Sequence, residues 1–259
     1  MISSSQNSRI KLARALAGRS RERRDGQAFI AEGVRLVEEA LAANWPFRFV
    51  LHTDELSARG ATLLRRIQEH KIEAEEVEPG LLASISDTEN SQGILAVLDY
   101  QPIAAPQAVD FALILDGIRE PGNLGTLLRT ADAAGVQRVL LAPETVDAFA
   151  PKVVRAGMGA HFRLPMESMD WPQIGEFVDS MNLSLCLADM RGTVYWETDF
   201  RLPLALVIGG EAEGASEQAR AAAKQTVSIP MQGKAESLNA AVAGSILMFE
   251  VVRQRNARG

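Results

Sequence analysis

Cysteine is almost absent from this chain of 259 residues. The lone Cys186 excludes an internal disulfide framework, and its setting, Leu183-Ser-Leu-Cys-Leu-Ala188, is that of an inert thiol in a buried strand. Histidine is scarce too. His52, His70 and His161 lie far apart, so no His/Cys cluster with metal-ligand spacing can be read and no metal is expected. No apolar run approaches the roughly 20 residues of a membrane span. The opening Met1-Ile-Ser-Ser-Ser-Gln-Asn lacks a signal-peptide core, which gives a cytoplasmic expectation with no membrane partner. Internal repeats and low-complexity tracts are also missing.

What remains is an ordinary globular composition, with enough length for one large or two modest domains. Strand and helix patterns alternate throughout. The first series runs helix 8–17, strand 28–30, helix 34–43, strand 47–51, helix 58–70, strand 72–77, helix 81–86 and strand 93–98. Tyr100-Gln-Pro-Ile-Ala-Ala-Pro-Gln107 then reads as a linker. The second series has strands at 111–115, 138–141, 162–164, 183–188, 204–208 and 226–229. Its helices fall at 123–134, 151–156, 171–181, near Ser216 and from about Ser237 onward, with Ser237 as N-cap. The expected fold is therefore α/β. Residues 1–100 would form a small domain, 101–108 a linker, and 109–259 a mostly parallel sheet with helices on both faces.

Three stretches of the second domain stand out. The apolar strand Leu204-Ala-Leu-Val-Ile208 ends in Gly209-Gly-Glu-Ala-Glu-Gly214. The strand ending at Ile229 passes through a polar loop into a helix that is apolar on nearly every face from Ala240 to Val252, as if buried by its own domain or by a second subunit. Ligands of open α/β sheets bind beyond strand C-termini, which is where both loops fall. Either loop alone is equally explained by turns. The third stretch is Asp116-Gly-Ile-Arg-Glu-Pro-Gly-Asn-Leu-Gly-Thr-Leu-Leu-Arg129. Its glycines do not follow the dinucleotide fingerprint, which argues against a nicotinamide enzyme. Arg129 sits early in a helix, opposing the dipole, and so asks for an anionic partner.

The net charge of -6 argues weakly against a nucleic-acid partner, but charge is unevenly placed. Residues 9–24 carry Arg9, Lys11, Arg14, Arg19, Arg21, Arg23 and Arg24 against Glu22 alone. Such an arm can neutralise phosphates, and it equally fits a solvated helix face.

Three blocks in order resemble the SpoU/TrmH family of RNA ribose 2′-O-methyltransferases, within the SPOUT class. They are Pro121-Gly-Asn-Leu-Gly-x-x-x-Arg129, Gly209-Gly-Glu211-x-x-Gly214 and Ile229-Pro-Met-x-Gly-x-x-x-Ser237-Leu-Asn239. Residues 1–100 are similar to the family's substrate-binding domain through Arg9-x-Lys-x-x-Arg14, Phe29-Ile-Ala-Glu-Gly33 and Gln92-Gly-Ile94. The resemblance implies a C-terminal trefoil knot, a homodimer built through the C-terminal domain, and S-adenosylmethionine bound against Gly209, Ile229 and Leu238. It implies that Arg129 is the central catalytic residue, as base or as phosphate clamp. Asn123 and Glu211 would position that cluster, and Ser237 and Asn239 would bond cofactor or ribose. The substrate would be a structured RNA, ribosomal rather than transfer RNA, gripped by Arg9, Lys11, Arg14, Arg21, Arg23 and Arg24. Glu120, Gly157 and Ser91 depart from the usual pattern at positions that bear on the RNA target. Two other classes stay open: a retired enzyme that only binds RNA, and a nucleotide-binding α/β enzyme, which would leave Arg129 unexplained.

Overall fold

The structure, a computed structural model, describes all residues except 87–90, 211–213 and 258–259. The chain divides into two compact units. One comprises Met1–Gln101 with Asp147–Phe162, and the other Pro102–Val146 with Arg163–Gly259.

The first unit is built on a four-stranded sheet of β1 (Ala28–Glu32), β2 (Phe47–His52), β3 (Ala74–Glu76) and β4 (Ile94–Asp99), in the order β1-β4-β2-β3. β4 runs antiparallel to both neighbours, and β2 and β3 are parallel. Period-2 alternation sorts the side chains. Ala28, Ile30, Phe49, Leu51, Leu95 and Val97 share one core cluster with Ile10, Ala13 and Leu16 of α1 (Ser8–Gly18). Phe29, between Ala28 and Ile30, enters an aromatic cluster with Trp45, Tyr100, Phe149 and Phe162. Helices α3 (Val34–Ala42), α4 (Ala58–Glu69) and α5 (Pro79–Ala83) contribute Leu36, Val37, Leu63, Ile67 and Leu82, all buried. Each such side chain is worth about 1.5–3 kcal/mol of burial.

Two local features here were not read from the sequence. A short helix α2 (Ser20–Gly26) stands where only a basic arm was read. Its sequence, SRERRDG, has no apolar period, and the buried Arg23 anchors it. The 151–156 helix appears as α7 (Pro151–Gly157), but its whole segment from Asp147 packs within this first unit, with α7 on β1.

The second unit is a parallel sheet in the order β10-β8-β9-β5-β6-β7. Its strands are β5 (Phe111–Asp116), β6 (Arg138–Leu141), β7 (Met166–Ser168), β8 (Ser184–Val194), β9 (Leu204–Gly209) and β10 (Gln225–Ser228). β5 and β9 are buried along nearly their whole length, as expected of strands covered on both faces. On one face Ala112, Ile114, Leu185, Ala205 and Val207 pack with Ile174 and Phe177 of α8 (Trp171–Ser180) and with Ala219 of α9 (Glu217–Ala222). α6 (Pro121–Ala133) and α10 (Ala240–Asn256) pack together, with Thr130 and Ser245 hydroxyls 3.0 Å apart.

The strand expected at 162–164 is instead the end of a 3-10 turn, Ala160–Phe162, and the strand forms at Met166–Ser168. Ser237 is not the cap of the last helix. Asn239 takes that role, accepting from the backbone N–H of Ala241 at 2.9 Å and of Val242 at 3.3 Å. Cys186 is buried in β8, and burial pushes its thiol up to about 12, as fits an inert side chain.

Candidate functional site

The loops that follow β5, β9 and β10 all leave C-terminal ends of one parallel sheet, the end at which α/β proteins bind ligands. The β5 loop leads into α6, whose N-cap is Glu120 with Pro121 at the first helical position, as that residue prefers. Asn123 therefore lies in the first turn. The β10 loop leads into α10. The two helix starts are joined directly: Asn239 Nδ2 donates to Asn123 Oδ1 at 3.0 Å. Residues 116 positions apart in sequence thus share one hydrogen bond.

Arg129 lies on the same helix, six residues or about 9 Å of rise beyond Asn123. Its side chain is exposed. Among the described residues it has no hydrogen-bond or ion-pair partner, so the guanidinium fork is available to an anion. Glu211 falls outside the described residues.

The loop after β9 is held from both sides. Asp116, 3% exposed at the end of β5, accepts from the Ser216 backbone N–H at 2.6 Å, the Ser216 hydroxyl at 3.1 Å and the Trp171 indole at 3.3 Å. Three donors offset the cost of burying a carboxylate. Gly210 is needed for a steric reason, since a Cβ there would lie 2.4 Å from the Gly117 carbonyl oxygen. A cavity of about 280 Å³ opens beside this junction, between Asp116, Arg119, Trp171 and Ser216. Sequence reasoning missed Asp116 and Trp171. The one available signal was an acid closing an otherwise apolar strand.

A different cavity, of about 120 Å³, lies between the middle of β8 (Ala188 to Met190) and the loop from β10 to α10. Ile229, Ser237 and Leu238 line it together, as does Leu247 of α10. Gly209 does not; it sits at the end of β9, against the backbone of Ala215. Asp189 stands on the cavity wall. Its carboxyl is held below the usual carboxylate range, chiefly by the Arg191 backbone N–H, with help from the Arg220 guanidinium. Asp189 is already paired with Arg220, so the fit rests on Ile229, Leu238 and Leu247 beside the Ser237 hydroxyl, which suit a ligand with a flat, largely apolar body and polar ends. S-adenosylmethionine is such a molecule, so the residues present fit it. Among the described residues no group of His, Cys, Asp and Glu could hold a metal ion, and no helix is long and apolar enough to cross a membrane.

The basic arm divides. Lys11, Arg14, Arg21 and Arg24 are exposed. Among the described residues Arg14 reaches only the Ser84 hydroxyl, at 2.9 Å, and Arg21 pairs with Asp25 at 3.2 Å. Arg23, expected to grip phosphate, is instead 4% exposed, with its guanidinium 2.7 Å from Asp147 and donating to the Leu16 carbonyl at 2.6 Å. Arg9 is also engaged, pairing with Glu73 and Glu75 and lying 5.3 Å over the Phe49 ring. These two hold the first unit together, and their charge is already neutralised.

Comparison with known proteins shows the family. Residues 110–249 match the SpoU rRNA Methylase family, and residues 7–96 match the MRM3-like substrate binding domain. A 23S rRNA (uridine(2479)-2′-O)-methyltransferase of Streptomyces viridochromogenes is 32% identical, covering 97% of this chain and 91% of that protein. A 23S rRNA (guanosine(2553)-2′-O)-methyltransferase of Bacillus subtilis is 31% identical, covering 96% of this chain and 98% of that one. The crystal structure of the SpoU methyltransferase AviRb from Streptomyces viridochromogenes, in complex with the cofactor AdoMet, superposes with a TM-score of 0.86 at 32% identity, over 97% of this chain and 100% of that one. With a family model covering more than half its length and relatives matched nearly end to end, this chain belongs to the SpoU rRNA methylase family.

Proposed function

We propose that this chain transfers a methyl group from S-adenosylmethionine to a ribose 2′-hydroxyl of ribosomal RNA. The observation that carries the reading is the Asn123–Asn239 bond, which ties the α6 start, and with it Arg129, to the loop whose Ile229 and Leu238 line a cavity. The bound cofactor supplies an electrophilic methyl on its sulfonium. The protein's part is placement, since in-line transfer needs the attacking oxygen held close to the methyl carbon and on its axis.

Arg129 clamps the phosphate next to the target ribose in bidentate fashion, a role for which an exposed guanidinium without an acidic partner is suited. Asn123 and Asn239 fix the helix starts from which Arg129 and the ribose are positioned. Ser237 bonds cofactor or ribose, and Ile229 and Leu238 pack the cofactor. Gly209 and Glu211 keep the roles that family resemblance gives them, cofactor contact and orientation of the cluster. The hydroxyl proton leaves to the clamped phosphate or to water. Lys11, Arg14, Arg21 and Arg24 contact the RNA backbone. The domain division at residues 101–108 and a cytoplasmic setting complete the reading.

The active assembly is a homodimer through the second unit. Val242 and Phe249 of α10 are 47% and 49% exposed, and Met190 and Trp196 are also exposed. Exposed apolar side chains on a helix whose other face is buried ask for a cover. Within the unit the C-terminal segment is knotted. Supporting this, a Cβ at Gly192 would fall 2.5 Å from the Thr226 and Val227 backbone, where the β8–β10 register also jumps.

Incubating the protein with labelled S-adenosylmethionine and total RNA, then mapping 2′-O-methyl sites, tests the activity. Arg129→Ala is expected to remove methylation while cofactor affinity stays nearly intact; loss of cofactor binding would refute this division of labour. Phe249→Asp is expected to convert a dimer to monomers in sedimentation velocity, and an unmodified chain that already sediments as a monomer removes the dimer.

A further inference from the structure

The first unit has a cavity of its own, about 260 Å³, that the methyl-transfer reading does not use. It lies where β1 meets α3 and is lined by Glu32, Arg35, Leu36, Gln92, Arg155 and Met158. Its volume is below the roughly 300–1,000 Å³ of pockets for drug-sized ligands, which limits it to one flat group of about nucleobase size. Leu36 and Met158 provide apolar wall. The polar groups are planar: two guanidinium forks, a carboxylate and an amide.

These groups are built in. Glu32 has a side chain only 5% exposed, held by the Ser86 hydroxyl and by Arg155 at 3.5 Å. Gln92 is fixed through its Oε1, which accepts from the Val34 N–H at the start of α3 at 2.8 Å. That bond orients the amide and leaves the Nε2 donors for another partner. Arg35 is exposed on α3 and makes no hydrogen bond or ion pair among the described residues. Arg35 and Arg155 against Glu32 leave the cavity with one net positive charge.

We propose that this cavity receives a single unstacked nucleotide of the RNA substrate. The Gln92 amide and the Glu32–Arg155 pair read the base edge, and Arg35 meets its phosphate. Sequence-specific RNA recognition works on such splayed bases, read on their edges by planar polar side chains. The proposal rests on an RNA substrate and names the part of the chain that selects it. The arm of Lys11, Arg14, Arg21 and Arg24 cannot do this, since phosphate contacts carry no base information.

The test uses the full chain and four short labelled homopolymers, oligo(A), oligo(C), oligo(G) and oligo(U), titrated by fluorescence anisotropy. One homopolymer is expected to bind at least about tenfold more tightly than the others, the discrimination that one good base-edge contact supplies. Gln92→Glu retains the acceptor that bonds Val34 and loses the amide donors, so it should erase the preference with the fold intact by circular dichroism. Arg35→Ala should weaken all four by the same factor and retain the preference. Equal affinity of the unmodified protein for all four, or a preference unchanged in Gln92→Glu, overturns the proposal. Methyl transfer to total RNA, measured in parallel, separates the two readings. Transfer without base preference sinks this pocket alone, whereas base preference without transfer supports it and sinks the catalytic assignment.

Discussion

Replacing Asn239 separates what its two side-chain atoms do. Oδ1 caps α10 by accepting from Ala241 and Val242, and Nδ2 donates to Asn123. Losing an N-cap costs about 1 kcal/mol, and losing a side-chain hydrogen bond of this kind costs about 1 kcal/mol more. Asn239→Ala removes both and should lower unfolding free energy by about 2 kcal/mol in a urea titration. Asn239→Asp preserves the cap, because a carboxylate accepts from the same N–H groups and suits the helix dipole. It loses only the donor to Asn123, so its stability loss should be the smaller of the two. Methyl transfer from labelled S-adenosylmethionine should fall to the same low level in both, because activity depends on the joined helix starts rather than on the cap. A double-mutant cycle with Asn123→Ala should return a coupling of about 0.5–1 kcal/mol in the urea titration. Full activity in Asn239→Asp, or zero coupling in the cycle, would refute the role given to this bond.

Further measurements probe the first unit. His161 is fully buried, and burial lowers its pKa to about 4, with Nε2 donating to the Ala148 carbonyl at 2.7 Å. The folded value lies below the unfolded value of 6.5, so the unfolded chain binds the proton first. Stability from the neutral ring is therefore present above pH 6.5 and lost as pH falls toward 4, by up to about 3 kcal/mol. Urea midpoints across this range should show the slope, and His161→Phe should flatten it. Arg23→Ala strands the Asp147 carboxylate and should cost about 3 kcal/mol, as for other broken buried pairs. Arg21→Ala, on the exposed face of the same helix, should leave stability within about 0.5 kcal/mol and weaken RNA binding in a salt-dependent way. Equal stability of the two variants would contradict the separation of Arg23 from the phosphate-facing arm.

Much of the molecule was legible one segment at a time. Leu204-Ala-Leu-Val-Ile208 and Phe111-Ala-Leu-Ile-Leu115 are buried strands because an unbroken apolar run has no face to offer water. The helices at 34–43 and 58–70 followed from their apolar period, and the three ligand-end loops followed from polar, glycine-bearing residues after such strands. The element at 162–164 misled because the apolar-polar-apolar run Phe162-Arg-Leu164 is too short for its alternation to tell a strand from a turn. Ser237 misled because Ser and Asn cap helices about equally well.

Periodicity and contacts between near neighbours were enough to set the strand-helix alternation, the parallel sheet and the polar character of the loops at its strand ends. Contacts between residues far apart in the chain set which of the seven basic residues is buried, the packing of Asp147–Phe162 with the first unit, and the meeting of Asn123 with Asn239. Arg23 and Arg24 are adjacent and chemically identical, yet one is enclosed with Asp147 and the other faces water. The cause is a partner more than a hundred residues away. A local pattern fixes how a segment folds, but the free energy of burying a charge depends on what the rest of the chain brings beside it.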